Sequence, residues 1–376
     1  MAAPTPTSLR VLHVDSEMGF RGGQRQVQLL VEGLLRRGHE CAIICPENSR
    51  FHQLANAKGW TTFPYRRPPV LGVRSPLLHR SVRQFAKRWG AHLVHAHSGN
   101  GHTLAVGAFA GRAPVISTRR VDFAIGGNWF SRRKYTRPGQ RYIAISTAVR
   151  DVLVAGGVNP AVIDLVFSGV ETERVTGGDG SALRREWLAG AEGPLVGFIG
   201  ALVDHKAPWT LAEAMPLVRR TLPGARAVYV GEGEERPRIE AIARANPGTV
   251  HLAGWRDDVA DCYAAFDLFV MPSKLEGLCT ALVDALAAGV PCLAARAGGI
   301  PDVVVDGECG SLVPPENPEA LAAAMVALLQ DPARQAAFRE AGRQRVARHF
   351  TADAMVEGTL QAYRNLLSIA STSGQL

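Results

Sequence analysis

Two rhythms alternate along the chain. LRVLHV (9–14) is a short apolar, partly β-branched run that predicts a buried strand. QRQVQLLVEGLLRRG (24–38) then places Val27, Leu30, Val31, Leu34 and Leu35 at helical spacing, with Gly38 as the predicted C-terminal cap. GFRGG (19–23) between them predicts a glycine turn. CAIIC (41–45), AHLVHAH (91–97), APVIST (113–118) and RYIAIS (141–146) continue the strand series. The polar, Gly-rich stretch SGVETERVTGGDGS (168–181) reads as a linker. The alternation then restarts. Strands are predicted at 194–200, 225–231, 249–254, 267–273, 291–295 and 310–314, and helices at 209–222, 235–245, 278–288 and 317–330. A last amphipathic helix, TADAMVEGTLQAYRNLLSIA (351–370), carries Met355, Val356, Leu360, Tyr363, Leu366 and Leu367 on one face. Short apolar strands alternating with helices mean parallel βαβ units. The predicted fold class is α/β, with two doubly wound domains facing a cleft and ligands at the carboxyl ends of the strands. The expected divisions are 1–170, 171–350 and a terminal helix over 351–376. No repeat of 20–50 residues is evident.

Length supports this division, since 376 residues hold two domains at roughly 150 residues each. The start lacks a basic head followed by an apolar run, so residues 1–8 read as a tail and not a secretory leader. No run of 18 apolar residues predicts a membrane span. None of the six cysteines forms a CxxC pair, so neither a zinc site nor a disulfide framework is predicted. A cytoplasmic location is the expectation.

The net charge of +8 conceals an asymmetry. Residues 1–175 hold 24 Lys and Arg against 10 Asp and Glu, and the rest of the chain is acidic. A basic half predicts an anionic partner. Its densest stretch, STRRVDFAIGGNWFSRRKYTRPGQR (117–141), interleaves Arg119, Arg120, Arg132, Arg133, Lys134 and Arg137 with Phe123, Trp129, Phe130 and Tyr135. Cations among aromatics suit single-stranded nucleic acid or an anionic membrane surface. RRPPVLGVR (66–74) adds to the same basic character.

Candidate chemistry concentrates in MPSKLEGLCTALVDALAAGVPCLAARAGGIPDVV (271–304). A buried strand ends in a turn, and a helix follows that Gly289 and Pro291 close. The free N–H groups at its start belong near Gly277, Leu278, Cys279 and Thr280, and they favour a phosphate. Glu276 stands outside this mouth and Asp284 lies deeper along the helix. Carboxylates accept hydrogen bonds from hydroxyls. Two acids on either side of a diphosphate site therefore suit a transferred sugar at one end and a ribose at the other. Gly22 and Gly23, after the first strand, let a backbone approach a diphosphate or an acceptor. HLVHAHSGNGH (92–102) places His95 and His97 on one strand face; zinc is one reading and a packed histidine another.

The stretch from Ser273 to Met325 resembles the signature of the GT-B glycosyltransferases, the retaining family 4, in which Glu, seven residues and Glu precede a Gly-Gly-(Ile/Val)-Pro-Glu element. GGQRQ (22–26), HAHS (95–98), AISTAVRDVLVAGGV (144–158), FSGVE (167–171), GALVDHK (200–206), VGEGEERPRIE (230–240) and LAGWRDDV (252–259) extend the likeness over nearly the whole chain. The resemblance implies an N-terminal acceptor domain, a C-terminal nucleotide-sugar domain and a last helix that crosses back. It implies that Glu276 binds hydroxyls of the donor sugar, that the backbone of Gly277, Leu278 and Cys279 takes the distal phosphate, and that position 284 holds the ribose. Here Asp284 and Asp302 replace the usual glutamates. Lys206 matches the lysine that neutralises the leaving diphosphate. Ala201 stands where an arginine is usual, which leaves Arg25, His205 or another base to compensate. His97 matches a contact to the donor sugar, and His95 reads as structural. Gly231, Glu232, Gly254, Trp255 and Arg256 match the turns around the nucleotide base.

The implied activity is transfer, with retention, of a sugar from a nucleotide-diphospho-sugar to an acceptor hydroxyl in cell-envelope polysaccharide, lipopolysaccharide or glycolipid synthesis. A UDP-sugar stands ahead of a GDP- or ADP-sugar, with no cofactor or metal required. The basic stretch would face a glycan or lipid-linked acceptor, or an anionic membrane at the inner face of the cytoplasmic membrane, and not nucleic acid. A sugar-nucleotide epimerase or phosphorylase on the same scaffold is the alternative. A dinucleotide oxidoreductase is disfavoured because HVDSEMGFRGGQ lacks GxGxxG.

Overall fold

The computed structural model describes residues 8–69, 71–126 and 129–372, so the expected tail falls outside them except for Ser8. The chain forms two compact units. One runs to Gly169 and resumes at Ala352; the other is Val170–Thr351.

The first unit is built on a seven-stranded parallel sheet of β1 (Arg10–Val14), β2 (Glu40–Pro46), β3 (Thr61–Tyr65), β4 (Leu93–Ala96), β5 (Val115–Arg119), β6 (Gln140–Ala144) and β7 (Ile163–Leu165), in the order β3-β2-β1-β4-β5-β6-β7. The second holds a six-stranded parallel sheet of β8 (Leu195–Ile199), β9 (Arg226–Val230), β10 (Val250–Gly254), β11 (Leu268–Met271), β12 (Cys292–Ala295) and β13 (Ser311–Val313), in the order β10-β9-β8-β11-β12-β13. Each order reverses once, between β1 and β4 and between β8 and β11. At such a reversal the following connections leave on opposite faces and open a crevice at the strand ends.

The sequence reading missed β3, interrupted by Pro64, and the three-residue β7. It also missed the helix Pro332–His349, whose buried residues Gln335, Phe338, Gly342 and Val346 are too sparse for a continuous apolar stripe. One expectation is corrected. Gly22 and Gly23 are not part of a turn but open the helix Gly22–Arg36. The reason lies in a cap in which Arg21 N–H donates to Gln24 Oε1 at 3.1 Å, so the helix begins two residues earlier.

The first unit's sheet has a separate apolar layer on each face. Leu12, Val14, Ile44, Val94 and Leu104 belong to one. The other joins Val11, Ile43 and Leu93 to Val27, Leu30 and Val31 of the first helix and to Met355, Val356, Leu360 and Tyr363 of the C-terminal helix Ala352–Thr372. The last helix is thus part of the first unit's core. The second unit begins and ends at one point, where Val170 N–H donates to the Phe350 carbonyl at 2.8 Å and Val170 bridges Thr351.

Gly33 sets the approach of the first and last helices, since a methyl added there would lie 2.4 Å from Val356 Cγ2. Gly33→Ala should therefore destabilise the protein by about 1–3 kcal/mol despite the gain in helix propensity. Urea unfolding measures this, and an unchanged midpoint would show that the two helices are not locked at Gly33.

Candidate functional site

In the second unit the strand reversal brings two connections together. After β8 the chain passes Gly200, forms a short 3-10 turn over Asp204–Lys206 and enters the helix Pro208–Arg219. After β11 it runs through Pro272–Cys279 into the helix Thr280–Ala288. The His205 carbonyl accepts hydrogen bonds from Lys274 N–H at 3.0 Å and Leu275 N–H at 3.2 Å, stitching the loops side by side. Lys206 Nζ and Glu276 Oε1, 70 residues apart in sequence, consequently form an ion pair, with side chains only 16% and 11% exposed. Ser273 Oγ donates to the same carboxylate oxygen at 3.1 Å. Burial by itself opposes the Lys206 charge, but the Glu276 carboxylate outweighs it and raises the ammonium above its ordinary value.

The helix Thr280–Ala288 starts without a side-chain cap and without an acid in its first turn. Its dipole and N-terminal N–H groups are not spent on a local carboxylate. Cys279, immediately before it, holds φ at +73°, the left-handed region that costs a non-glycine residue about 1–2 kcal/mol. This strained residue and the first helical turn face the same end of the unit as Gly277. The Glu276 carbonyl accepts from Gly299 N–H at 2.8 Å, which seats the Gly-Gly-Ile-Pro segment under the loop.

Asp284 is buried within the helix, and Arg174 Nη2 lies 2.7 Å from its Oδ2. Sequence reasoning missed this arginine, which sits in the stretch read as a linker. The other predicted donor residues end neighbouring strands. Gly231 follows β9 with φ at +135°, and a methyl there would fall 2.1 Å from the Gly200 carbonyl oxygen, so only glycine fits. Its N–H donates to the Gly254 carbonyl at 2.7 Å. Glu232 pairs with Arg236 at 2.7 Å. Arg256 Nε pairs with Asp258 at 2.8 Å, and Trp255 is exposed with its Nε1 donating to Asp257 at 3.3 Å.

In the first unit, the equivalent reversal gathers histidines. β1 and β4 pair in register at His13 and His95. His13 Nδ1 lies 2.9 Å from His97 Nε2, and His95 binds Tyr363 Oη and Thr118 Oγ1, each at 2.7 Å. His95 and His97 were read from the strand alternation, whereas His13 was missed because nothing local marks it. Ligand nitrogens of the three rings lie within 4.8 Å of one another, a spacing that can hold a metal. The Arg120 cation, which disfavours charge on His95 and His97, opposes a dication there too. Gly23 abuts this arginine, with Arg120 Cδ 3.5 Å from where a methyl would stand, whereas space is open at Gly22.

The basic stretch divides. Arg119 Nη1 donates to Tyr135 Oη at 2.8 Å, and Lys134 Nζ donates to Thr103 Oγ1 at 3.3 Å. Burial lowers the Arg120 guanidinium to about 10 and the Lys134 ammonium to about 8. These three cations are built into the fold. Arg132, Arg133 and Trp129 face solvent on the helix Trp129–Tyr135, with the Arg133 guanidinium 5.1 Å from the Trp129 ring centre. The Phe130 side chain lies outside the described residues. A cavity of about 480 Å³ in the same unit is lined by Met18, Tyr65, Arg66 and Arg67, among others.

Residues 193–331 match the family described as Glycosyl transferases group 1, and residues 20–174 match Glycosyltransferase Family 4. A D-inositol 3-phosphate glycosyltransferase of Segniliparus rotundus is 33% identical over 295 residues, covering 74% of this chain and 62% of that protein. A GDP-mannose-dependent alpha-mannosyltransferase of Mycobacterium tuberculosis is 29% identical over 325 residues, covering 78% and 80%. The chain spans 54–63% of the length of the D-inositol 3-phosphate glycosyltransferases it matches. Among solved structures, Anabaena HepE in complex with UDP superposes with a TM-score of 0.82 at 20% identity, covering 95% of this chain and 100% of that one, a likeness of fold.

Burial holds four imidazoles of the first unit neutral. It lowers His13 and His102 to about 3, and His95 and His97 well below their ordinary value. The unfolded chain takes up these protons near pH 6.5 while the folded chain cannot. Stability is therefore full above that pH and is lost as pH falls towards about 3. The melting temperature should drop between pH 7 and pH 5, followed by circular dichroism; a flat profile would contradict the neutral cluster.

Proposed function

The chain belongs to the glycosyltransferases of group 1 and family 4 and has the GT-B fold, and we propose on that premise that it transfers a sugar from a nucleotide-diphospho-sugar to an acceptor hydroxyl, with retention at the anomeric carbon. The observation that carries the proposal is the meeting of Lys206 and Glu276 at the mouth of an uncapped helix, at the strand reversal of the second unit.

In this reading the N–H groups from Gly277 to Thr280 receive the distal phosphate, and Glu276 accepts hydrogen bonds from hydroxyls of the donor sugar. Asp284 takes the ribose. The turns at Gly231–Glu232 and Gly254–Arg256 border the base. In the reaction the bond from the anomeric carbon to the diphosphate oxygen breaks, and the acceptor oxygen bonds to that carbon. The acceptor's proton passes to the departing diphosphate. Charge builds on the leaving oxygens as the bond breaks. A fixed ammonium and oriented N–H groups stabilise that charge in the transition state more than in the ground state. Lys206 and the helix thus supply the positive field, and the mechanism calls on no metal. HepE is solved with UDP, and the Mycobacterium tuberculosis relative is named as GDP-mannose-dependent, so both a UDP- and a GDP-sugar suit this reading.

The first unit is assigned the acceptor. The support is its excess of cations, the solvent-facing Arg132, Arg133 and Trp129, and the Arg66–Arg67 edge of the cavity. These suit an anionic glycan or a lipid-linked acceptor at the inner face of the cytoplasmic membrane. Among the described residues no helix is long and apolar enough to cross a membrane.

Screening UDP-, GDP- and ADP-sugars should find one that raises the melting temperature, since a ligand bound only by the folded state stabilises it. With that donor, Glu276→Ala and Lys206→Ala should each lower turnover by about 10²–10³. The double variant K206M/E276Q, which leaves neither charge alone, provides the folded control. Full turnover in both single variants, or release of nucleoside diphosphate with no glycosylated product, overturns the assignment. Retention is read from the anomeric configuration of the product by NMR.

A further inference from the structure

We propose that Arg174 is a second donor-binding cation, directed at the phosphates of a nucleoside diphosphate. The inference rests on the donor-site reading of the second unit and goes beyond it by naming a residue from outside the helix and its loop.

The two acids that flank the helix start are each held by a cation: Glu276 by Lys206, and Asp284 by Arg174. The four formal charges cancel. A diphosphate entering this neutral arrangement meets only the field of the helix end, equivalent to about half a charge. A sugar nucleotide, however, presents the complementary set. Its hydroxyls donate hydrogen bonds, which the two carboxylates accept, and its phosphates accept what the two cations donate. Both ion pairs can therefore split onto one ligand without leaving a buried charge unpaired, the outcome that would be costly. A nucleoside alone satisfies an acid and offers nothing to a cation. Pyrophosphate alone does the reverse.

Arg174 has the geometry for this exchange. It ends the 3-10 turn Thr172–Arg174, and its Nη2 lies 2.7 Å from Asp284 Oδ2. Its side chain is 47% exposed, whereas that of Asp284 is 10% exposed. A guanidinium carries five N–H donors in a rigid fork, so a carboxylate that holds one nitrogen also aims the rest. The fork matches the oxygens of a phosphate. Lys206, by contrast, is enclosed and offers a point charge.

The other bases that could stand in for the arginine absent at Ala201 are less suited. His205 is exposed, with its carbonyl tied to the Lys274 and Leu275 amides. Arg25 belongs to the first unit, where its Nη1 donates to Gln28 at 2.8 Å. Arg174 is the cation that stands beside the deeper acid of the second unit.

Isothermal titration of the full chain with UDP, GDP and ADP first identifies the tightest diphosphate, and its nucleoside is then measured by competition. Arg174→Ala should weaken diphosphate binding about tenfold or more, the order expected for a lost charge-assisted hydrogen bond. Nucleoside binding should not weaken, because no phosphate is involved and the acid that meets the ribose loses its competing cation. Arg174→Lys should restore part of the loss. An arginine that merely pins the chain to the helix would instead lower the melting temperature and weaken both ligands alike. That result, or diphosphate affinity unchanged in Arg174→Ala, overturns the proposal. Failure of the wild type to bind any of the three diphosphates sinks the donor-site reading itself, and this inference with it.

Discussion

The neighbourhood of β8 and β11 is the constraint on which the second unit's candidate site depends. These strands are adjacent in the sheet, yet the chain crosses to one side after β8 and to the other after β11. Their outgoing loops must therefore emerge together at the carboxyl edge. The ion pair between Lys206 and Glu276 is the result, and two N–H hydrogen bonds to the His205 carbonyl keep the loops from drifting apart. Backbone hydrogen bonds, and not the two charged side chains, set the geometry. The side chains inherit it.

A buried ion pair is a weak source of stability, because desolvating two charges offsets most of their attraction. Its value at this position is orientation. Ser273 and Lys206 both point at one oxygen of Glu276, so the carboxylate is held in one orientation. Cys279 shows the same preference for site geometry over local comfort, since its left-handed backbone turns the chain sharply into the helix Thr280–Ala288. Strain of this kind persists only where the surrounding structure over-determines it. Here the Gly299–Glu276 backbone bond and the enclosed Leu278 side chain do so.

Much of this was legible in the sequence because it is local. Strand and helix periods, glycine turns and the Glu276–Asp284 spacing are all properties of short windows, and they located both sheets and the helix with the candidate phosphate site. What was not legible is what comes from pairing distant segments. His13 becomes informative only when β1 lies beside β4, and Arg174 only when a stretch that reads as linker folds against Asp284. The division within the basic stretch at 117–141 was out of reach for a related reason. Composition counts charges but cannot say that Arg119 and Lys134 turn inward onto Tyr135 and Thr103 while Arg132 and Arg133 turn out. The glycines at 22 and 23 read as a turn in sequence because the Arg21–Gln24 contact matches no familiar capping sequence.

The split composition of the first unit imposes an order on biosynthesis. Its sheet is finished with β7, but one apolar layer lacks Met355, Val356, Leu360 and Tyr363 until the ribosome has made the whole intervening unit. During that interval Val27, Leu30 and Val31 have no final cover, and His95 lacks the phenol it binds in the finished protein. The nascent chain thus carries an open, sticky flank for about half its translation, the kind of surface that recruits chaperones. A message truncated anywhere before Ala352 yields a polypeptide with that flank permanently bare, whatever the integrity of its second unit.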